Sequence, residues 1–271
     1  MSGQDPIIRL ENVTKAFDRQ VVLDSVSLAI EPGKTTVVIG PSGCGKSVLL
    51  KHIIGLLKPD SGKVFFEGHE ISAMGEKELV PVRRQVGFLF QGSALFDSMT
   101  VAENICFPLT ESQDGWSSED RRRRCAAVLR LVGLDGAQEK YPEELSGGEK
   151  KRVALARAIA LNPKVILYDE PTTGLDPIRA DLISELILRL RSALGNTAVV
   201  VTHDMHTTRK IADRIVMLYQ GHFIADMTVD DLDHVGNDIV ARFVQGRASD
   251  QELAQLRTGR LEGRPNAPGT Q

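Results

Sequence analysis

Very little in this chain of 271 residues can cross-link or span a bilayer. It has 3 cysteines, Cys44, Cys106 and Cys125, an odd number without metal-ligand spacing. That excludes a disulfide framework and a zinc cluster, and the thiols read as reduced in a reducing compartment. The formal net charge of −3 supplies no broad positive field, which argues against nucleic acid as a partner. No apolar run approaches the roughly 18 residues a spanning helix needs, and the start MSGQDPIIRL lacks the pattern of a signal peptide. A cytoplasmic address is expected, and any work at a membrane is expected to be done from outside the bilayer.

What is present is an ordinary globular composition, 42% hydrophobic and 25% charged. Alternation over Ile7–Val13 and Val21–Ile30 reads as two strands joined by a polar turn at Asp18 and Arg19. Thr35–Ile39 is apolar and β-branched enough for a strand buried on both faces. Further short runs at Val64–Phe66, Val86–Phe90, Val165–Tyr168, Ala198–Thr202 and Ile215–Tyr219 extend the sheet. Helical patterns lie between them, clearest at Leu182, Ile183, Leu186, Ile187 and Leu190. This alternation predicts an α/β core of parallel strands. From Val101 to Leu145 the rhythm breaks, with no strand and an exposed loop over Glu111–Ser118, which reads as an inserted helical subdomain. The four cations Arg121–Arg124 there read as a solvated helix face. Past Gly246, residues 247–271 carry few large apolar side chains and are expected to be partly mobile.

Gly40-Pro41-Ser42-Gly43-Cys44-Gly45-Lys46-Ser47 matches the phosphate-binding loop G-x-x-x-x-G-K-[ST], between a predicted strand and a predicted helix. Glycines let successive N–H groups turn toward one anion, and the helix beginning near Lys46 adds the positive end of its dipole. Lys46 is expected to hold the β- and γ-phosphates of a nucleotide, and Ser47 to offer its hydroxyl to Mg²⁺. Cys44 reads as a small residue within the loop. The run Val165–Tyr168 ends in Asp169 and Glu170, at the carboxyl end of a strand where α/β sheets bind ligands. Asp169 is expected to support the Mg²⁺ shell and Glu170 to act as general base on the attacking water.

About twenty residues earlier, Leu145-Ser146-Gly147-Gly148-Glu149 resembles the signature motif of the ATP-binding cassette (ABC) ATPases, and the resemblance runs over roughly Ile7–Val229. Ser146 and two glycines before a predicted helix Glu149–Leu161 form a second N-terminal anion site. The resemblance implies a RecA-like P-loop NTPase core with an antiparallel β subdomain and an inserted helical subdomain. The ATPase domain is expected over 6–246, its helical subdomain over about 92–148. It also implies a head-to-tail homodimer in which each ATP lies between the loop of one copy and the signature of the other. Matched motif by motif, Phe17 falls where the family stacks an aromatic on adenine, and Gln91 is the Q-loop glutamine that senses Mg²⁺. His203 is the switch histidine on the γ-phosphate, and Gly174-Leu175-Asp176 is the D-loop. Taken singly, Phe17 reads equally as a core aromatic, Gln91 as a turn residue and His203 as a strand-end histidine. Three departures stand out: Phe17 replaces a frequent Tyr, Val48 leaves only its backbone N–H for the α-phosphate, and Glu149 replaces the usual Gln, placing a carboxylate near the nucleotide across the dimer.

Within the family, Phe90–Val101 with Glu103-Asn104 and Phe107-Pro108-Leu109, and also Thr172–Ile178, is similar to the lipid-asymmetry (Mla-type) transporter ATPases. That similarity implies an integral membrane permease and a lipid-carrying MCE-type component as partners. It also implies a peripheral position on the cytoplasmic side of the inner membrane, and transport of phospholipid between inner and outer membranes. Leu95, Phe96, Met99, Phe107 and Leu109 read either as a groove for a permease helix or as subdomain core. Val229–Val244 resembles the family's carboxyl-terminal segment that embraces the neighbouring ATPase. The alternatives are the ATPase of an importer for a polar solute and a non-transport ABC ATPase.

Overall fold

The computed structural model describes residues 5–18, 20–112 and 114–248. The chain divides into two compact units, Met1–Val229 and Asp230–Gln271. The first unit holds two sheets. Strands β1 (Ile8–Phe17), β2 (Gln20–Ile30), β4 (Ser61–Phe66) and β5 (His69–Glu70) form an antiparallel sheet in the order β2-β1-β4-β5. Alternation sets its register: Ile8 and Leu10, both buried, face Ile30 and Leu28 across the β1–β2 ladder.

The second sheet contains β3 (Thr35–Ile39), β6 (Val86–Leu89), β7 (Val165–Asp169), β8 (Thr197–Thr202), β9 (Arg214–Tyr219) and β10 (His222–Met227) in the order β10-β9-β3-β8-β7-β6. Every residue of β3, β7 and β8 is buried. That is why these runs are continuously apolar instead of alternating. The expected all-parallel core needs one correction: β10 returns antiparallel against β9 through the tight turn at Gln220-Gly221, too short for a crossover helix. Short β5 and helix α2 (Glu76–Arg84), which the sequence reading left unassigned, complete the edge between the sheets.

Helix α1 (Lys46–Ile53) follows β3 directly, and its buried face is Leu49, Leu50 and Ile53. Helix α6 (Pro177–Leu194) is bounded by its cap chemistry. Asp176 accepts the Arg179 N–H, Pro177 opens the first turn, and Gly195 ends the helix in the left-handed conformation at φ 63°. Helix α7 (Met205–Ile211) is capped by Asp204.

Helices α3 (Val101–Glu111) and α4 (Ser118–Leu131) form the insertion, and α5 (Gly147–Ala158) leads from it to β7. Thr100 and Glu103 make a capping box at the start of α3. Buried Asn104 gives its amide to the carbonyls of Phe96, Met99 and Thr100 and accepts the Phe96 N–H, pinning the loop before the helix. The Arg121–Arg124 run is not uniformly a solvated face. Arg124 turns inward and donates to the carbonyls of Ile159 and Ala160, closing the end of α5. Those carbonyls lack intrahelical partners, so a cation there satisfies them and opposes the dipole.

The second unit holds a 3₁₀ turn at Asp230–Asp233 and the helix α8 (Asp238–Gln245), capped by Asn237 and ended by Gly246. Leu232 and Val240 are its buried apolar residues. The part of the expected mobile tail from residue 249 onward lies outside the described residues.

Candidate nucleotide site

The phosphate loop lies between β3 and α1, at the carboxyl edge of the parallel strands. Two of its glycines are dictated by space. A Cβ at Gly40, whose φ is 154°, would lie 2.2 Å from the Leu218 carbonyl oxygen and 2.9 Å from Cys44 Sγ. A Cβ at Gly45, with φ at 105°, would lie 2.9 Å from Val22 Cγ1. The loop is therefore pressed against β9 on one side and β2 on the other. Cys44 sits half-buried inside this curl, and burial raises its thiol above the usual range.

Lys46 is 6% exposed, and its ammonium donates to the carbonyls of Gly40 at 2.8 Å and Pro41 at 3.0 Å. Its Nζ also stands 3.5 Å from Glu170 Oε1. Ser47 Oγ donates to Asp169 Oδ1 at 2.8 Å, joining the loop to the end of β7. Burial raises the Asp169 carboxyl above its usual range, opposed by that Ser47 bond. A hydroxyl and a desolvated carboxylate oxygen side by side are hard donors of the kind Mg²⁺ takes. The residues present fit that ion together with nucleotide phosphates.

Glu170 occupies left-handed backbone, φ 49°, unusual for a non-glycine residue and typical of functional sites. Its Oε2 stands 2.9 Å from His203 Nδ1 and accepts from Thr173 Oγ1 at 3.2 Å and Thr202 Oγ1 at 3.3 Å. A cavity of about 390 Å³ opens in front of these groups. Its walls include Phe17, Ser42, Gly43, Gly45, Lys46, Ser47, Val48, Gln91, Glu170 and His203. Phe17, 43% exposed at the end of β1, is therefore wall and not core. Gln20 and Val22 of β2 also line it. The sequence carried no signal for them, because they act only through the pairing of β2 beside the loop.

Ser146, Gly147, Gly148 and Glu149 do not line this cavity. They start α5, with a Cβ at Gly147 placed 3.9 Å from Leu175 and one at Gly148 placed 3.6 Å from Arg179. The signature thus sits beside the D-loop of its own chain. Asp176 is engaged as the cap of α6, with Arg179 Nε 3.3 Å from its Oδ2. Glu149 is turned back on its own helix, where its Oε2 accepts the N–H of Ser146 at 2.9 Å and its hydroxyl at 2.7 Å. The sequence reading missed Lys151, buried at 5% exposure, which donates to the carbonyls of Gln91 and Glu170. Its helical spacing from Gly148, Ala154 and Leu155 was the available signal, since all four lie on the buried face of α5.

A second groove of about 470 Å³ lies between β6, α3 and α5. Phe96 and Phe107, 41% and 37% exposed, stand 4.9 Å apart between ring centres in its wall, whereas Leu109 is 1% exposed and belongs to the core.

A RecA-like sheet with a phosphate loop, an acidic strand end joined to it and a capped, glycine-containing helix start at Ser146–Glu149 has the plan of an ATP-hydrolysing cassette. The sequence model of the ABC transporter family matches residues 23–173, and the chain belongs to that family. It is 40% identical over 240 residues to the probable ribonucleotide transport ATP-binding protein mkl of Mycobacterium leprae, covering 89% of this chain and 69% of that protein. It is 39% identical over 262 residues to the methionine import ATP-binding protein MetN 2 of Rhodococcus jostii, covering 93% and 76%. Among solved structures, the dimeric post-hydrolysis state of the ATP-binding cassette MJ0796 with ADP and Pi superposes with a TM-score of 0.76 and 36% identity, covering 82% of this chain and 98% of that one. CbiO1 of Clostridium perfringens, part of the transporter complex cbiONQ, gives 0.78 at 28% identity, covering 94% and 100%. The chain is an ABC transporter ATPase. Among the described residues, no helix is long and apolar enough to cross a membrane.

Proposed function

We propose that this chain hydrolyses Mg-ATP between two head-to-tail copies and delivers the work of closure to a separate membrane-spanning permease, from the cytoplasmic face of the membrane. The observation that carries this reading is the cluster Lys46, Ser47, Glu170 and His203 around one cavity, with Asp169 bonded to Ser47 and the signature outside the cavity. Phe17 stacks on adenine, the amides of Ser42 to Val48 cradle the phosphates, and Lys46 leaves its loop carbonyls for the β/γ oxygens. Ser47 and Asp169, with Gln91 nearby, would hold Mg²⁺, which when bound neutralises phosphate charge. Glu170 takes the proton of the attacking water, while His203 holds the γ-phosphate side of that water. Ser146, Gly147, Gly148 and Glu149 of one copy, with the D-loop Asp176, meet the nucleotide of the other. The MJ0796 cassette, dimeric with ADP and Pi, supports the paired arrangement. The ATPase domain is assigned to residues 6–246, with the helical subdomain over about 92–148, and the Phe96–Phe107 groove to the permease.

Two readings of the cargo divide the observations. Similarity of Gly92–Leu109 to the Mla-type ATPases supports phospholipid, moved through the permease and an MCE-type component. The names of the relatives, ribonucleotide transport and methionine import, support import of a polar solute and weigh more than the local similarity. Reconstitution of the chain with its co-purified permease in liposomes separates them. ATP-driven accumulation of an amino acid or nucleotide, absent with Glu170→Gln, establishes import. ATP-dependent phospholipid exchange with acceptor vesicles, without solute uptake, establishes the lipid reading.

A further inference from the structure

Lys151 is a buried cation without an acidic side chain as hydrogen-bond partner. It projects from the second turn of α5, the helix that begins with the signature, and is 5% exposed. Its ammonium donates to two main-chain carbonyls that belong to different parts of the site, Gln91 at 3.2 Å and Glu170 at 3.4 Å. Burial draws this ammonium below its usual range, and the charges of Glu170 and Asp169 pull the other way. A desolvated charge spent on two carbonyls is costly unless holding those carbonyls has a use.

That use is visible at Glu170. Its φ of 49° is one that side-chain-bearing residues seldom adopt. Besides the Lys151 ammonium, the carbonyl accepts the Thr173 N–H at 3.3 Å. Fixing it fixes the peptide plane from which the Glu170 carboxylate is aimed toward His203. Through the same ammonium, the backbone at Gln91 is held against the first turns of the signature helix. The next inward cation of α5, Arg157, donates to the Ser93 carbonyl at 3.1 Å, so the segment is held at two points about 1.7 turns apart.

We propose that Lys151 is a positioning residue for ATP hydrolysis: it ties the signature helix to the main chain of Gln91 and Glu170, so that the water-activating carboxylate is aimed only when the signature helix is seated. The inference rests on the reading of Glu170 as general base. It makes Lys151 a link between the dimer-facing helix and the carboxylate, without contact to nucleotide.

The full chain tests it in three variants. Lys151→Met keeps the length of the stem and removes the donors, Lys151→Arg keeps donors, and Glu170→Gln checks the underlying reading. For Lys151→Met, kcat is expected to fall about 10-fold with KM for Mg-ATP within about 2-fold, the split that marks loss of an interaction used in turnover and not in binding. Tm is expected to stay within about 3 °C, because a buried ammonium leaves with its donors. Lys151→Arg should recover turnover to within about 3-fold of the unmodified chain. Wild-type kcat in Lys151→Met, or no gain in Lys151→Arg over Lys151→Met, overturns the proposal. So does a Lys151→Met protein that loses nucleotide affinity, turnover and Tm together or fails to fold, because Lys151 would then be a strut. Near-normal turnover by Glu170→Gln removes the base assignment instead, whatever Lys151→Met does.

Discussion

The carboxylate of Glu149 is bound to the residue that should meet the nucleotide: its Oε2 accepts both the N–H and the hydroxyl of Ser146, at 2.9 and 2.7 Å. The Ser146 hydroxyl therefore spends its only proton within the capping box. For that proton to reach a phosphate, it must leave a negative acceptor, and the negative charge stays beside the phosphate. Glu149→Gln keeps an acceptor oxygen and removes the charge. ATP-dependent dimerisation, measured by sedimentation in a Glu170→Gln background, should strengthen about 2- to 5-fold, the scale of an exposed charge pair. Weaker or unchanged dimerisation would remove Glu149 from the nucleotide's surroundings.

Mild acid should not substitute for that change. The hydroxyl and amide of Ser146 hold the Glu149 carboxyl below the usual carboxylate range. A depressed carboxyl stays ionised until pH falls through its folded-state value, so the charge persists at pH 5. Dimerisation of the Glu149→Gln chain should exceed that of the unmodified chain by the same factor at pH 5 and pH 7. A difference that vanishes at pH 5 would show the carboxyl titrating above its ordinary value.

Glu170 and Lys46 should fail at different stages. Glu170→Gln keeps the phosphate loop and removes the proton acceptor. It is expected to bind Mg-ATP normally while phosphate release slows by about 100-fold or more. Lys46→Ala removes the cation of the β/γ oxygens and should instead raise the dissociation constant for ATP by at least about 10-fold. Equal ATP affinity in Lys46→Ala, measured by titration calorimetry, would place the phosphates elsewhere.

The loop, the acidic strand end and the signature were legible because each is a short local pattern tied to a predicted strand or helix. Thr35–Ile39 and Val165–Tyr168 read as buried strands for the same reason, being uncharged and rich in β-branched and large apolar residues. Non-local pairings were not legible. Nothing in His222–Met227 announces that it returns antiparallel, since its first five residues are intermediate or exposed without strict alternation. Arg124 looked like its three neighbours, and only the end of α5 beside it gives it a role. Leu109 and Phe96 are apolar alike in sequence, yet helix phase buries one and the Asn104-held loop exposes the other.

The separation of the signature from the nucleotide cavity within one chain calls for a test across two. In a mixed dimer of one Lys46→Ala and one Ser146→Arg subunit, shared sites leave one interface defective in both parts and the other intact. Placing both substitutions in one subunit spoils both interfaces. One ATP site per dimer should remain hydrolytically competent in the first arrangement, giving about half the paired rate if sites act independently, and almost none in the second. The reverse order, with activity retained only when both substitutions share one subunit, would mean that signature and loop serve the same subunit.

Phe96 and Leu109 provide the last test, because one groove residue and one core residue answer different questions with the same substitution. Phe96 is 41% exposed, leans on Phe107, and has the Arg157 guanidinium 5.5 Å from its ring centre. Leu109, 1% exposed, lies inside the helical subdomain. Phe96→Asp places its charge at solvent, so thermal melting of the isolated chain should shift by no more than about 3 °C. ATP binding should be unchanged, while co-purification with the permease should be lost, because an apolar contact in the groove becomes a hydrated carboxylate. Leu109→Asp buries an unpaired charge and should cost about 3–5 kcal/mol, melting the chain before any question of docking arises. A Phe96→Asp chain that still retains its permease would move the docking surface away from this groove. One that melts like Leu109→Asp would make Phe96 part of the core despite its exposure.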